Sequence, residues 1–377
     1  MQNIFTQEER DWAEQIFQKT APKLRAECER LQGRIPYEAV GGRYAADLAQ
    51  ENIAWWTNGF WGGILWQMYH ATGEACYRAS AEAVEEQLDR ALCEYRNLDH
   101  DVGFLWMPTA VADYRMTGSP RSLVRGEHAA SLLLSRYNAQ GRYLCAWNGH
   151  RPGWMIIDCL MNLSLLYWAG SEQDDPRFAA AACAHADTAL EKLMRPDGSC
   201  CHIAVLNPAD GSLLETPGGQ GFAAGSAWSR GQAWAVYGFV ISYLHTHRVR
   251  YLDAAKRAAH YFLANAARTD YLPLCDFRAP EKPQLFDASA GACAACGLLE
   301  LAQQVPPEES TLYRQGALRL LHAAAERCCD WNPESDGIVG YGKVEYHGDP
   351  AQQKLIYADY FFLEGILRIL NREIFLW

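Results

Sequence analysis

Apolar residues recur at helical spacing along nearly the whole chain, and clusters of Gly, Pro and Asn interrupt them. The period predicts twelve helices, near 7–32, 58–72, 77–96, 104–117, 121–137, 154–169, 175–194, 228–246, 250–267, 287–303, 309–329 and 356–371. The longest gap, 195–227, predicts a small β-hairpin: His202 to Leu206 and Ser212 to Glu215 flank the turn Asn207-Pro-Ala-Asp-Gly211.

Two kinds of helix alternate. One opens with an aromatic residue, continues with small residues and carries one charged face, as in Tyr251-Leu-Asp-Ala-Ala-Lys-Arg-Ala-Ala259 and Tyr313-Arg-Gln-Gly-Ala317. That pattern suits an outer helix packed on one side. The other opens with aromatic, glycine and polar residues and then turns apolar, as in Trp56-Thr-Asn-Gly-Phe-Trp61 and Trp228-Ser-Arg-Gly-Gln-Ala-Trp234. These suit inner helices whose N-termini line a cavity. Six pairs at a period of about 60 residues predict an array of αα-hairpins, all-α, over residues 1–377 as one domain. Closed on itself, the array is an (α/α)6 barrel with a small β excursion; an open superhelix has the same local pattern.

Composition narrows the function. The net charge of −11 argues against a nucleic-acid or anionic-membrane surface. No segment has the apolar length of a membrane span, and Met1 to Thr20 lacks a secretory pattern. The 13 cysteines sit mostly among apolar residues, which suits reduced thiols in the cytoplasm. Cys293-Ala-Ala-Cys296 has no second ligand pair, so two core cysteines are expected there rather than a metal site. The 13 tryptophans exceed what a core of this size needs, and a Trp-lined cleft suits a sugar.

Few residues suggest chemistry. Asp158, in Trp154-Met-Ile-Ile-Asp-Cys-Leu-Met-Asn162, has apolar neighbours that would raise its pKa toward that of a general acid; a structural cap reads equally well. Asp101 follows Asp99 and His100 at a helix entrance, where an N-cap is the plain alternative to a site. Arg230 and Trp234 share a helix face, and Arg230 suits either a carboxylate clamp or a structural ion pair. Metalloprotease, phosphate-loop and GxSxG motifs are absent.

Several strings together resemble the unsaturated glucuronyl hydrolases, glycoside hydrolase family 88. They are Gly59-Phe-Trp61 with Gly63-Ile-Leu-Trp66, Asn97-Leu-Asp-His100 with Asp101-Val-Gly-Phe104, Ile156-Ile-Asp-Cys-Leu160, Trp228 to Trp234, Ala295 to Glu300, and Asp359-Tyr360 with Leu363-Glu364. The resemblance implies an (α/α)6 barrel and catalytic aspartates at Asp101 and Asp158. It implies sugar contacts at Trp56, His100, Trp147, His202, Gln220, Arg230 and Trp234. The chain departs from the family pattern at Asn58, where Asp is usual, and has one His fewer before Asp101. Where sulfate-preferring members carry an Arg and two Ser, it has Gly219, Asp349 and Gln352, with Lys354 retained.

The implied substrates are unsaturated uronyl disaccharides or short oligosaccharides left by lyases. The implied chemistry hydrates a C4=C5 enol ether, with Asp158 as general acid and base and Asp101 ionised, and needs no metal or cofactor. An unsaturated rhamnogalacturonyl hydrolase acting on pectin fragments is the alternative. An epimerase would need a pair of bases, for which the histidines offer no convincing match, and a repeat interaction module would show more regular repeats.

Overall fold

In the computed structural model, which describes residues 4–349 and 351–377, two sets of six long helices alternate. The outer set is Gln7–Leu31, Ala75–Glu94, Pro120–Leu134, Pro176–Lys192, Val249–Ala266 and Pro307–Arg327. The inner set is Asn58–Thr72, a three-part helix over 102–117, Cys159–Glu172, Ser229–Thr246, Ala288–Gln304 and Ile356–Leu370. Each inner helix packs on the inner helices before and after it, and the last returns to the first. The ring is therefore closed, and the fold is an (α/α)6 barrel.

The chemistry of the two helix types explains the two layers. Outer helices keep a wet face, and three of the six begin at a side-chain cap, at Thr6, Ser119 and Asp175; Thr6 and Glu9 form a reciprocal capping box before Gln7–Leu31. Inner helices are buried all round and need small residues where they meet. A side chain at Gly59 would place Cβ 2.1 Å from the carbonyl oxygen of Phe104 on the next inner helix, so only glycine fits. Cys293 and Cys296 are fully buried, with Cys296 Sγ donating to the Phe361 carbonyl at 3.1 Å, which makes them core cysteines.

Two local differences from the expected helices matter for the site. The expected helix at 154–169 begins only at Cys159; Trp154–Ile156 is a strand paired antiparallel with Ile203–Leu206, and Leu213–Glu215 completes the sheet. The apolar run Trp154-Met-Ile-Ile suits a half-buried strand as well as a helix, and the available partner strand decides it. The inner helix over 102–117 widens to a π-turn at Met107–Val111, where Pro108 lacks the amide that an α-turn would use.

The last residues close the end of the barrel opposite the inner N-termini. Trp377 is fully buried, stacks on Phe361 with ring centroids 6.1 Å apart, and donates Nε1–H to Glu364 at 2.9 Å. Gln67 bonds the Ile374 amide and carbonyl, and Arg115 donates to the Phe375 and Leu376 carbonyls. Trp377→Ala should cost about 3–5 kcal/mol of unfolding free energy, read as a lower urea midpoint at unchanged slope.

Candidate active site

Among the described residues, five aspartates stand at N-cap positions, and they divide into two groups. Asp47, Asp175 and Asp287 accept a bond from a backbone amide of the first turn of their own helix. Asp101 and Asp158, which precede adjacent inner helices, make no such bond. The capping role at 101 is displaced: Asp99 accepts from the Asp101 amide at 3.0 Å, which leaves the Asp101 carboxylate for the cleft. The cap explanation weighed for both residues therefore fails.

The sheet brings Asp158 to a histidine. Ile156 pairs with Ile203, and the Ile157 amide donates to the His202 carbonyl at 3.0 Å. Just beyond the paired residues, His202 Nε2 lies 3.4 Å from Asp158 Oδ2. The other ring nitrogen, Nδ1, accepts from the Gln220 amide at 2.9 Å. Asp101 has a histidine too. His100 Nε2 lies 3.1 Å from Asp101 Oδ1, and its Nδ1 is 2.8 Å from the Ala146 carbonyl. Asn162, one turn after Asp158, ties the aspartates' two helices together: its amide reaches Asp101 Oδ1 at 3.3 Å, and its Oδ1 accepts from the Phe104 amide at 2.8 Å. Asn162 was not among the expected site residues, although a polar side chain inside an apolar helical stretch was the available signal.

Both aspartates face a cleft of about 550 Å³ at the end where the inner helices begin. Of the predicted site residues, Trp56, His100, Asp101, Trp147, Asp158, Gln220 and Arg230 line it. His202 stands behind Asp158. Trp234 sits elsewhere: it is fully buried, packed on Phe104 and Phe361, and is not on the cleft wall. Asn52, Ala54, Trp55, Asn97, Asp99 and Ile156 complete the lining and had carried no site expectation except Asp99. Asn58 lies just below, its amide holding the carbonyls of Asn52 and Ile53 at 3.0 and 2.9 Å. An ionised Asp could not make those two donations, which accounts for the amide in this chain.

Arg230 is buried between the rings of Trp228 and Tyr357. Nη1 donates to Asp287 and to the Lys343 carbonyl, both at 2.8 Å, and Nη2 donates to the Val344 carbonyl at 2.7 Å. Its Nε–H is buried with no protein partner, and the residue lines the cleft. A fixed cation with two N–H donors left unpaired suits an incoming carboxylate. Gln220 secures the same loop by donating to the Val344 carbonyl at 2.9 Å. The sulfate-type positions are otherwise used: Lys354 Nζ is bound to Asp330 at 2.6 Å, and a Cβ at Gly219 would lie 2.0 Å from His202 Nδ1.

The electrostatics reverse one expectation. Burial acts most strongly on Asp158 and pushes its pKa up, as its apolar neighbours suggested. Donation from His202, the charge His202 carries when protonated, and the positive charges of His100 and Arg230 outweigh that and hold it below the ordinary carboxylate value. Asp101 is the raised carboxyl, at about 6, because burial and the charges of Asp99 and Asp158 outweigh the pull of His100. Burial disfavours a charged His100, but Asp101, Asp99 and Asp158 together raise it to about 9. Asp99, His100 and Asp101 offer ligand atoms within 4.8 Å of one another, as a cation site would. Those atoms are already engaged by the Asp101 amide, the Ala146 carbonyl and each other.

Comparison with known proteins gives a consistent answer. Unsaturated glucuronyl hydrolase from Bacillus sp. (strain GL1) is 35% identical over 326 residues, 83% of this chain and 86% of that one. Unsaturated chondroitin disaccharide hydrolase from Streptococcus pyogenes serotype M1 is 32% identical over 324 residues, 83% and 80% of the two chains. The crystal structure of the Bacillus sp. GL1 unsaturated glucuronyl hydrolase superposes with a TM-score of 0.89 at 32% identity, covering 94% of this chain and 96% of that one. The profile of Glycosyl Hydrolase Family 88 matches residues 29–271, and the chain belongs to that family.

Proposed function

We propose that this enzyme removes a 4,5-unsaturated glucuronic acid from the non-reducing end of glycosaminoglycan-type oligosaccharides produced by polysaccharide lyases. The observation that carries the reading is the pair of uncapped aspartates, each against a histidine, facing one cleft beside the buried Arg230. The names of the relatives support the same substrate class.

The uronate carboxylate would meet the Arg230 guanidinium, and the sugar rings would lie between Trp56 and Trp147. Its surroundings hold Asp158 below the ordinary carboxylate value. A bound carboxylate neutralises Arg230, adds a like charge and displaces water, and each of these raises Asp158 toward the range of a proton donor. Asp158 then protonates C4 of the enol ether. Positive charge develops at C5 and the ring oxygen, and the Asp101 carboxylate stabilises it. Water adds at C5 and gives its proton to Asp158. The C5 hemiketal opens to a ketone, and the hemiacetal left at C1 releases the remaining saccharide. One acid serves both steps, so the carboxylate spacing that separates retaining from inverting enzymes does not apply.

Because Lys354 is taken by Asp330 and residue 219 has no side chain, non-sulfated fragments are the expected substrates. A reducing, cytoplasmic setting goes with the reading, supported by thirteen free thiols. Among the described residues, no helix is long and apolar enough to cross a membrane. The test is a panel of unsaturated disaccharides from chondroitin, hyaluronan, heparin and pectin lyase digests, followed by loss of near-ultraviolet absorbance. Turnover of non-sulfated glycosaminoglycan disaccharides is expected. Turnover of the pectin fragment alone would select the rhamnogalacturonyl alternative, and no turnover by folded protein would overturn the hydration mechanism.

A further inference from the structure

The two histidines behind the aspartates are held by opposite backbone groups. His202 Nδ1 receives the Gln220 amide at 2.9 Å, so that nitrogen must be a bare acceptor. The proton of a neutral ring then sits on Nε2, where it faces Asp158 Oδ2 at 3.4 Å. His100 Nδ1 faces the Ala146 carbonyl at 2.8 Å, which can only accept, so that nitrogen must carry a proton. A neutral His100 would therefore turn a bare Nε2 toward the Asp101 carboxylate at 3.1 Å, lone pair against lone pair. A second proton on the ring removes the conflict. We propose that the backbone fixes the histidines in opposite states, His100 as an imidazolium and His202 as the neutral Nε2–H tautomer, and so divides the work of the two aspartates: Asp101 stays a carboxylate in an ion pair at neutral pH, while Asp158, facing a neutral donor, is the one that takes up and releases the proton.

The inference rests on the hydration reading for its consequence, though not for the protonation states themselves. The groups facing His100 agree with it. Asp99 and Asp101 flank it on its own segment, Asp158 approaches from the start of the next inner helix, and His185 comes from the outer helix Pro176–Lys192. His185 is a control within the same molecule. Its Nδ1 receives the Leu144 amide at 2.9 Å, the same arrangement as at His202, and burial followed by the charge of His100 pushes it down to about 3, so it is neutral. With Asp101 at about 6 and His100 at about 9, the His100–Asp101 ion pair spans neutral pH. His100 is thus a positioning residue: both ring nitrogens are committed to protein atoms and its side chain is 2% exposed.

Nitrogen-15 NMR of histidine-labelled full-length protein reads this directly, with His100→Gln and His202→Gln used to assign the two rings. At pH 7, His100 should show two protonated ring nitrogens, and His202 one protonated and one bare. In Asp101→Asn, which removes the facing charge, His100 should lose its second proton at least tenfold more readily, an apparent shift of one pH unit or more. A neutral His100 or a doubly protonated His202 in the wild-type protein at pH 7 overturns the proposal, whether or not any substrate turns over. Kinetics test the division of work. In His100→Gln, kcat should fall about tenfold to a hundredfold, with little change in KM and a displaced alkaline limb of the pH profile. An unchanged kcat and profile would overturn the role given to Asp101. If no unsaturated uronide is a substrate, the hydration reading fails while the NMR result still stands or falls by itself.

Discussion

Asp158→Asn should lower kcat by roughly three orders of magnitude while leaving KM within a few-fold, because a positioned general acid contributes about 10²–10⁴-fold. Asparagine keeps the shape of the side chain and can still meet His202 Nε2 through its oxygen, so the sheet register and the cleft wall persist. It cannot carry the proton that C4 requires. Binding should not weaken, since the substitution removes a negative charge from the neighbourhood where the uronate carboxylate enters. The measurement is the rate of near-ultraviolet absorbance loss at saturating substrate, with circular dichroism to show that the variant is folded. A variant that keeps more than a tenth of wild-type kcat would show that Asp158 is not the proton donor.

The barrel was legible because its helices carry a strong 3.6-residue period and differ by layer: an all-apolar inner face rich in Gly, Ala and Cys, and a one-sided outer pattern. Closure was not legible, since it depends on the contact between Ile356–Leu370 and Asn58–Thr72, far apart in sequence. Asp101 and Asp158 were visible as acids in unusual local settings, and the family strings pointed to them. Their environments were not visible. The apolar neighbours of Asp158 give burial, which the structure confirms, but one of the groups that outweigh it is His202, just before the strand Ile203–Leu206, whose partner, Trp154–Ile156, reads locally as the start of a helix. Trp234 shows the reverse limit: four residues from Arg230 it shares a helix face, yet it sits one turn deeper, where that face has become core.

Arg230→Lys should lower kcat/KM by about tenfold to a hundredfold, mostly through KM, and so separate the two roles weighed for this residue. The guanidinium spends Nη1 on Asp287 and the Lys343 carbonyl and one Nη2 hydrogen on the Val344 carbonyl, and the second Nη2 hydrogen is left for an incoming carboxylate. An ammonium has three donors on one atom. It can satisfy Asp287 and the carbonyls, or reach the substrate carboxylate, but no fork remains to do both, and stacking on Trp228 and Tyr357 is lost. The missing charge-assisted bond is worth about 1.5–3 kcal/mol, which matches the expected change. Stability should fall far less in Arg230→Lys than in Arg230→Met, where Asp287 keeps its carboxylate in the core without a cation and the cost is about 3–5 kcal/mol. Urea unfolding gives the second quantity and substrate-dependent kinetics the first. If Arg230→Lys binds substrate as tightly as the wild type, Arg230 serves only its ion pair with Asp287, and the uronate carboxylate must find another partner in the cleft.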